Sequence, residues 1–134
     1  MSGVSWKAKP DEHDYPAAAS YLSLLASASQ VSDLVARLKS SDIEYYKAKD
    51  ILRASGLPLL GTDNAHVAAD LKKIGKNRAL SPVLLVGGDL VRGVAMHIAD
   101  GYHRVCASYH VEENTDIPCR IVDHPDPPSS YATP

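Results

Sequence analysis

Ile98-Ala-Asp-Gly-Tyr-His-Arg-Val-Cys-Ala107 is the stretch on which the reading of this chain turns. Before it, Val94, Met96 and Ile98 interleave with Ala95, His97 and Ala99, the period-two pattern of a strand. Asp100-Gly101 then opens a helix that runs to about Val111. A helix starting there presents unpaired backbone N–H groups and the positive end of its dipole, an arrangement suited to anions. Gly101 lets a ligand approach the backbone closely. His103 and Arg104 add donors in the first turn, where they suit phosphate oxygens but oppose the dipole, and that mismatch favours an anionic ligand. The plainer alternative is structural: both pair with Asp100 or cap neighbouring carbonyls. Asp100 itself is expected as the N-cap, a position Asp prefers, with a role as general base or metal-water ligand as the other reading.

Downstream, Ile117–Val122 reads as a final strand. Upstream, Pro82-Val-Leu-Leu-Val86 is a continuous apolar run suited to a strand covered on both faces, and Gly87-Gly88-Asp89 makes the turn after it. Asp63 or Asn64 caps a helix reaching Gly75, with Val67, Leu71 and Ile74 as its buried stripe. Ile43–Ala48 suits a short, half-buried strand, followed by a helical turn at Lys49–Leu52 and a loop at Ser55–Pro58. Pro16–Leu25 reads as a helix with Pro in its first turn. A second helix starts at Ser29 or Ser32 and ends near Leu38, on a stripe of Val31, Leu34, Val35 and Leu38. The first ten residues look loose. The expected fold class is α+β, a small mixed sheet flanked by helices. Residues 1–42 form an arm and helical cap, 43–122 the core, and 123–134 a proline-rich, extended tail, all within one compact domain.

The composition of the 134 residues, 45% hydrophobic and 22% charged with a formal net charge of -2, is that of a soluble globular domain. A mildly acidic balance argues against a protein that lives mainly on nucleic-acid backbone attraction. No apolar run is long enough to cross a bilayer, so no membrane partner is expected, and Met1–Pro10 lacks the apolar core of a signal peptide. Cys106 and Cys119 alone make no disulfide framework, which favours a reducing, cytoplasmic setting.

The ordered set Leu80–Val86, Asp100-Gly-Tyr-His-Arg104, Ala107 and Asp116-Ile-Pro-Cys-Arg-Ile-Val122 resembles the ParB/sulfiredoxin superfamily, as does Tyr45–Leu52 with Arg53 following. The resemblance spans about 43–122 and implies a nucleotide site, for ATP or another NTP with Mg²⁺ accompanying it. It implies that the Gly101–His103 backbone, His103 and Arg104 hold phosphates. It also implies that Arg53 supplies an active-site cation, that His66 stands where sulfiredoxins carry a phosphate-binding Lys, and that Asp100 orients water or Mg²⁺. Tyr102 occupies the position of the sulfiredoxin nucleophilic Cys. A phenol with a pKa of about 10 does not replace a thiolate, so sulfinic acid repair is not expected. ParB proteins add a DNA-binding helix-turn-helix domain, for which this chain has no room. Whether the bound nucleotide is hydrolysed or donates a phosphoryl group stays open.

Three further features carry weaker readings. Lys72, Lys73, Lys76 and Arg78 would suit a phosphate or nucleic-acid groove, or simply form a solvated basic face, and a nuclease is the second function class. His103, Cys106 and His110 stand at i, i+3 and i+7, but zinc takes four ligands from more than one element, and a buried face of Tyr102, Cys106 and Tyr109 is the simpler account. A helical cap at 16–40 that presents a surface to a protein partner or a second copy is the third class.

Overall fold

A computed structural model of the protein describes residues 3–125. In chain order the elements are α1 (Asp14–Leu22), α2 (Ala28–Ser40), β1 (Glu44–Lys47), α3 (Ala48–Ser55), α4 (Ala65–Gly75), β2 (Val83–Val86), β3 (His97–Asp100), α5 (Tyr102–Val111) and β4 (Asp116–Val122). The class is α+β. The sheet order is β1-β4-β2-β3, with β4 parallel to β2 and the other two pairings antiparallel.

β2 decides the layering. All four of its residues are buried, and alternate side chains serve different cores. Val83 and Leu85 join Ile98, Ile117 and Cys119 under α3, α4 and α5. Leu84 and Val86 join Ala99 and Val122 under α1 and α2, through Tyr15, Ala18, Leu22, Leu34 and Leu38. The N-terminal cap is therefore the second apolar layer of the sheet.

Local chemistry sets the helix ends. α2 starts at a capping box in which the Ser27 hydroxyl accepts from the Gln30 amide and the Gln30 side chain accepts from the Ser27 N–H. This carries α2 over Ala28–Ser40, longer at both ends than its apolar stripe alone indicates. The Asn64 side chain accepts from the His66 and Val67 amides at the head of α4. α1 begins two residues before Pro16 and stops at Leu22, leaving Leu24 and Leu25 exposed in a turn.

Several sequence expectations need correction. β1 is an edge strand, paired with β4 alone, and exposed along its whole length rather than half-buried. The helical turn after it is a full helix, α3, closed by Gly56 with φ of 68°. β3 is shorter than the alternating run: Val94 only bridges to Asp89, and regular pairing starts at His97. The opening residues are not all loose. Ser5 and Lys7 exchange backbone hydrogen bonds with Leu80, and Val4 and Trp6 pack on the core. The tail at 126–134 lies outside the described residues.

Candidate functional site

β2 and β3 do not keep a simple register. Leu84 pairs with Asp100 and Leu85 with Ile98, so Ala99 is an extra residue, a bulge one position before the turn. Residues paired across a ladder share a face. The bulge therefore aims Asp100 to the side of Leu84, where α1 packs, and away from the side of Ile98.

At the turn, Gly101 and not Asp100 is the N-cap of α5, with φ of 112° and no side-chain cap. A Cβ at Gly101 would lie 2.5 Å from Val83 Cγ1 and 2.9 Å from Arg104 Nη2. The space left by the missing side chain is thus taken by the protein's own packing.

Asp100 instead pairs with Arg104, Oδ2 to Nη2 at 3.0 Å, one helical turn on. The same Nη2 lies 3.4 Å from the Pro82 carbonyl and 3.9 Å from Oδ2 of Asp14. Asp14, whose side chain is only 3% exposed, also accepts the Asp11 N–H at 3.0 Å. Burial raises the Asp100 carboxyl above its ordinary pKa, Arg104 opposes the rise, and Asp14 adds to it. Two carboxylates thus neutralise one guanidinium, and Arg104 brings little free charge to a ligand.

Beside this cluster, a cleft of about 270 Å³ is lined by Asp100, Gly101, His103 and Arg104 from the turn and by His66, Ala69, Asp70 and Lys73 from α4. The His66 and His103 rings lie 4.7 Å apart between centroids, tilted by 42°. Burial lowers the His103 pKa below its ordinary value, His66 lowers it further, and Asp70 works the other way. The Asp70 carboxyl is raised by burial against the pull of Lys73, Arg104 and the two histidines, and its Oδ1 stands 4.0 Å from Lys73 Nζ. Asp70 and Asp100 offset Lys73 and Arg104 in the lining, so the donors left for an anion are Lys73, the imidazole N–H groups and the α5 N-terminus.

The structure brings together His66, Asp100, Gly101, His103 and Arg104. Arg53 stands apart on α3, its side chain 86% exposed and 3.4 Å from Asp50. Tyr102 packs against the core, and its hydroxyl donates to the Pro58 carbonyl at 2.5 Å, outside the cleft. Burial raises its phenol pKa further. Cys106 faces the core fully buried, while His110 is exposed with Nε2 2.7 Å from the Leu60 carbonyl, so the i, i+3, i+7 row presents no common set of ligands. Asp100, expected to orient water or Mg²⁺, has its Oδ2 committed to Arg104. Asp14 and Asp70 are additions. Nothing local marks Asp14, but Asp70 was within reach: with Val67 and Ile74 inward, His66, Asp70 and Lys73 fall on one adjoining stripe of α4.

Among the described residues, no helix is long and apolar enough to cross a membrane. Compared with protein-family models, curated proteins and solved structures, the chain matches none.

Proposed function

We propose that the protein binds a nucleotide, ATP or another NTP, by its phosphates at the turn between β3 and α5. The observation that carries this reading is the convergence of Lys73, His66 and His103 on the N-terminus of α5 around one cleft. At about 270 Å³ the recess is small beside the usual 300–1,000 Å³ of a whole-ligand pocket. The phosphates would sit inside it, with the ribose and base outside. Mg²⁺ would arrive on the phosphates, since Asp100 and Asp70 are each engaged with a cation of the protein.

We further read the core over 43–122 as ParB/sulfiredoxin-like. The order of elements and the Gly101–Arg104 turn between a strand and a helix support that reading. Two free, buried thiols, Cys106 and Cys119, support a reducing, cytoplasmic setting.

Calorimetric titration with ATP, ADP, CTP and GTP in the presence of Mg²⁺ tests the binding. The wild type saturates, and Lys73→Gln/His103→Gln weakens binding while circular dichroism shows the variant folded. Absence of binding at millimolar nucleotide rejects the reading.

A further inference from the structure

Ala65, Ala68, Lys72 and Lys76 recur at i, i+3, i+7 and i+11 along one exposed face of α4, opposite Val67 and Ile74. A groove of about 390 Å³ follows this face, floored by Ala65, Ala68 and Ala69 and rimmed by Lys72, Lys73, Lys76 and Arg78. It shares Ala69 and Lys73 with the cleft, so the two recesses adjoin across these residues. The dipole of α4 accounts for Lys72 and Lys73 in its last turn and for Lys76 at its C-cap, but not for Arg78 farther on. Asn77, with φ of 58°, reverses the chain there, and the Arg78 N–H returns to the Lys73 carbonyl at 2.9 Å. That reversal puts Arg78 on the rim. Among the described residues, the one carboxylate within ion-pair distance of these four cations is Asp70, 4.0 Å from Lys73.

From Ala65 to Lys76 the helix advances roughly 16 Å, farther than the phosphates of a single nucleotide reach. We propose that this groove binds single-stranded nucleic acid, with one phosphate of the strand in the cleft beside Lys73 and successive phosphates against Lys72, Lys76 and Arg78. The proposal rests on the reading that the cleft takes a phosphate. Charge complementarity selects a polyanion, whose phosphates the four cations meet along the groove. A flexible single strand can bend one phosphate into a recess of about 270 Å³, whereas a duplex is stiff over about 150 base pairs.

The test is fluorescence anisotropy of the full chain with a labelled oligothymidylate of about a dozen nucleotides, between about 50 and 200 mM salt, run beside the ATP titration. Saturable binding is expected, with a log–log salt slope of about -3 for four contacts at about 0.7 each. Lys72→Gln/Lys76→Gln, both exposed positions, should weaken it by about tenfold, flatten the slope by about 1.4 and leave ATP binding unchanged. No binding, binding indifferent to that pair, or equal competition by a duplex or a poly-glutamate peptide would overturn the proposal. ATP bound without the oligonucleotide rejects the groove alone. An oligonucleotide held through the lysines without ATP supports the groove and rejects the nucleotide reading.

Discussion

Asp14, the first residue of α1, and Asp100, the last of β3, share a single cation: Arg104 Nη2 lies 3.9 Å from one carboxylate and 3.0 Å from the other. The cap at the N-terminus is thereby tied to the turn at the head of α5. Arg104→Met removes the cation and leaves a buried carboxylate, Asp14, and a partly buried one, Asp100, without it. Breaking a buried pair from one side costs about 3 kcal/mol or more. Urea denaturation at neutral pH should show that loss, and it should shrink in acid as the carboxyls protonate. A loss under about 1 kcal/mol would mean that the cluster behaves like a surface pair.

Asp100 has a folded pKa above its reference value of 3.8. The folded protein therefore holds this proton longer than the unfolded chain does. Its contribution to stability is complete below pH 3.8 and is lost as pH rises through the folded value. Asp100→Asn removes that dependence, so the unfolding free energy of the variant relative to wild type should climb as pH is raised from acid toward neutral. Denaturant titrations across that range decide it, and a flat or falling difference contradicts the direction of the shift.

Gly101→Ala meets both a left-handed backbone and two close neighbours, Val83 and Arg104. Strain of about 1–3 kcal/mol from the backbone adds to overpacking of similar size. The midpoint of urea unfolding should fall accordingly, with the slope unchanged. A variant as stable as the wild type would show that the turn relaxes without cost.

Burial and His66 beside it lower the pKa of His103 and so disfavour its imidazolium. A bound phosphate favours the imidazolium, so ATP affinity should rise as pH falls through and below the ordinary histidine range. Protonation of Asp70 and Asp100 acts in the same direction, because their pKa values are also raised. Calorimetry in mildly acidic and mildly alkaline buffers should show this gain, and His103→Gln should reduce it. Equal affinity at both pH values would place His103 outside the phosphate contacts.

The layers of the fold were legible because burial leaves periodic marks. The unbroken apolar run Pro82–Val86 foretold a strand covered on both faces, and Val31, Leu34 and Leu38 foretold the inward face of α2. The turn at 100–104 was legible as chemistry but misassigned in detail. Strict alternation would have kept Asp100 on the side of Ile98, and nothing in the sequence announces the bulge at Ala99 that turns it toward α1. For the same reason Asp14 carried no signal. Its partner lies 90 residues away in sequence (104 − 14) and is met only when the cap folds onto the sheet. Arg53 shows the opposite case: a resemblance nominated it, and its helix directs it into solvent beside Asp50, apart from the cleft.

Backbone amide resonances of Gly101, Tyr102 and His103, followed by NMR during titration with ATP and Mg²⁺, test phosphate binding at this turn most directly. Saturable shifts concentrated on these amides and on those of the α4 face at His66–Lys73, abolished in Lys73→Gln/His103→Gln, are the expected result. Unmoved amides at the turn, or shifts clustered elsewhere on the protein, would contradict it.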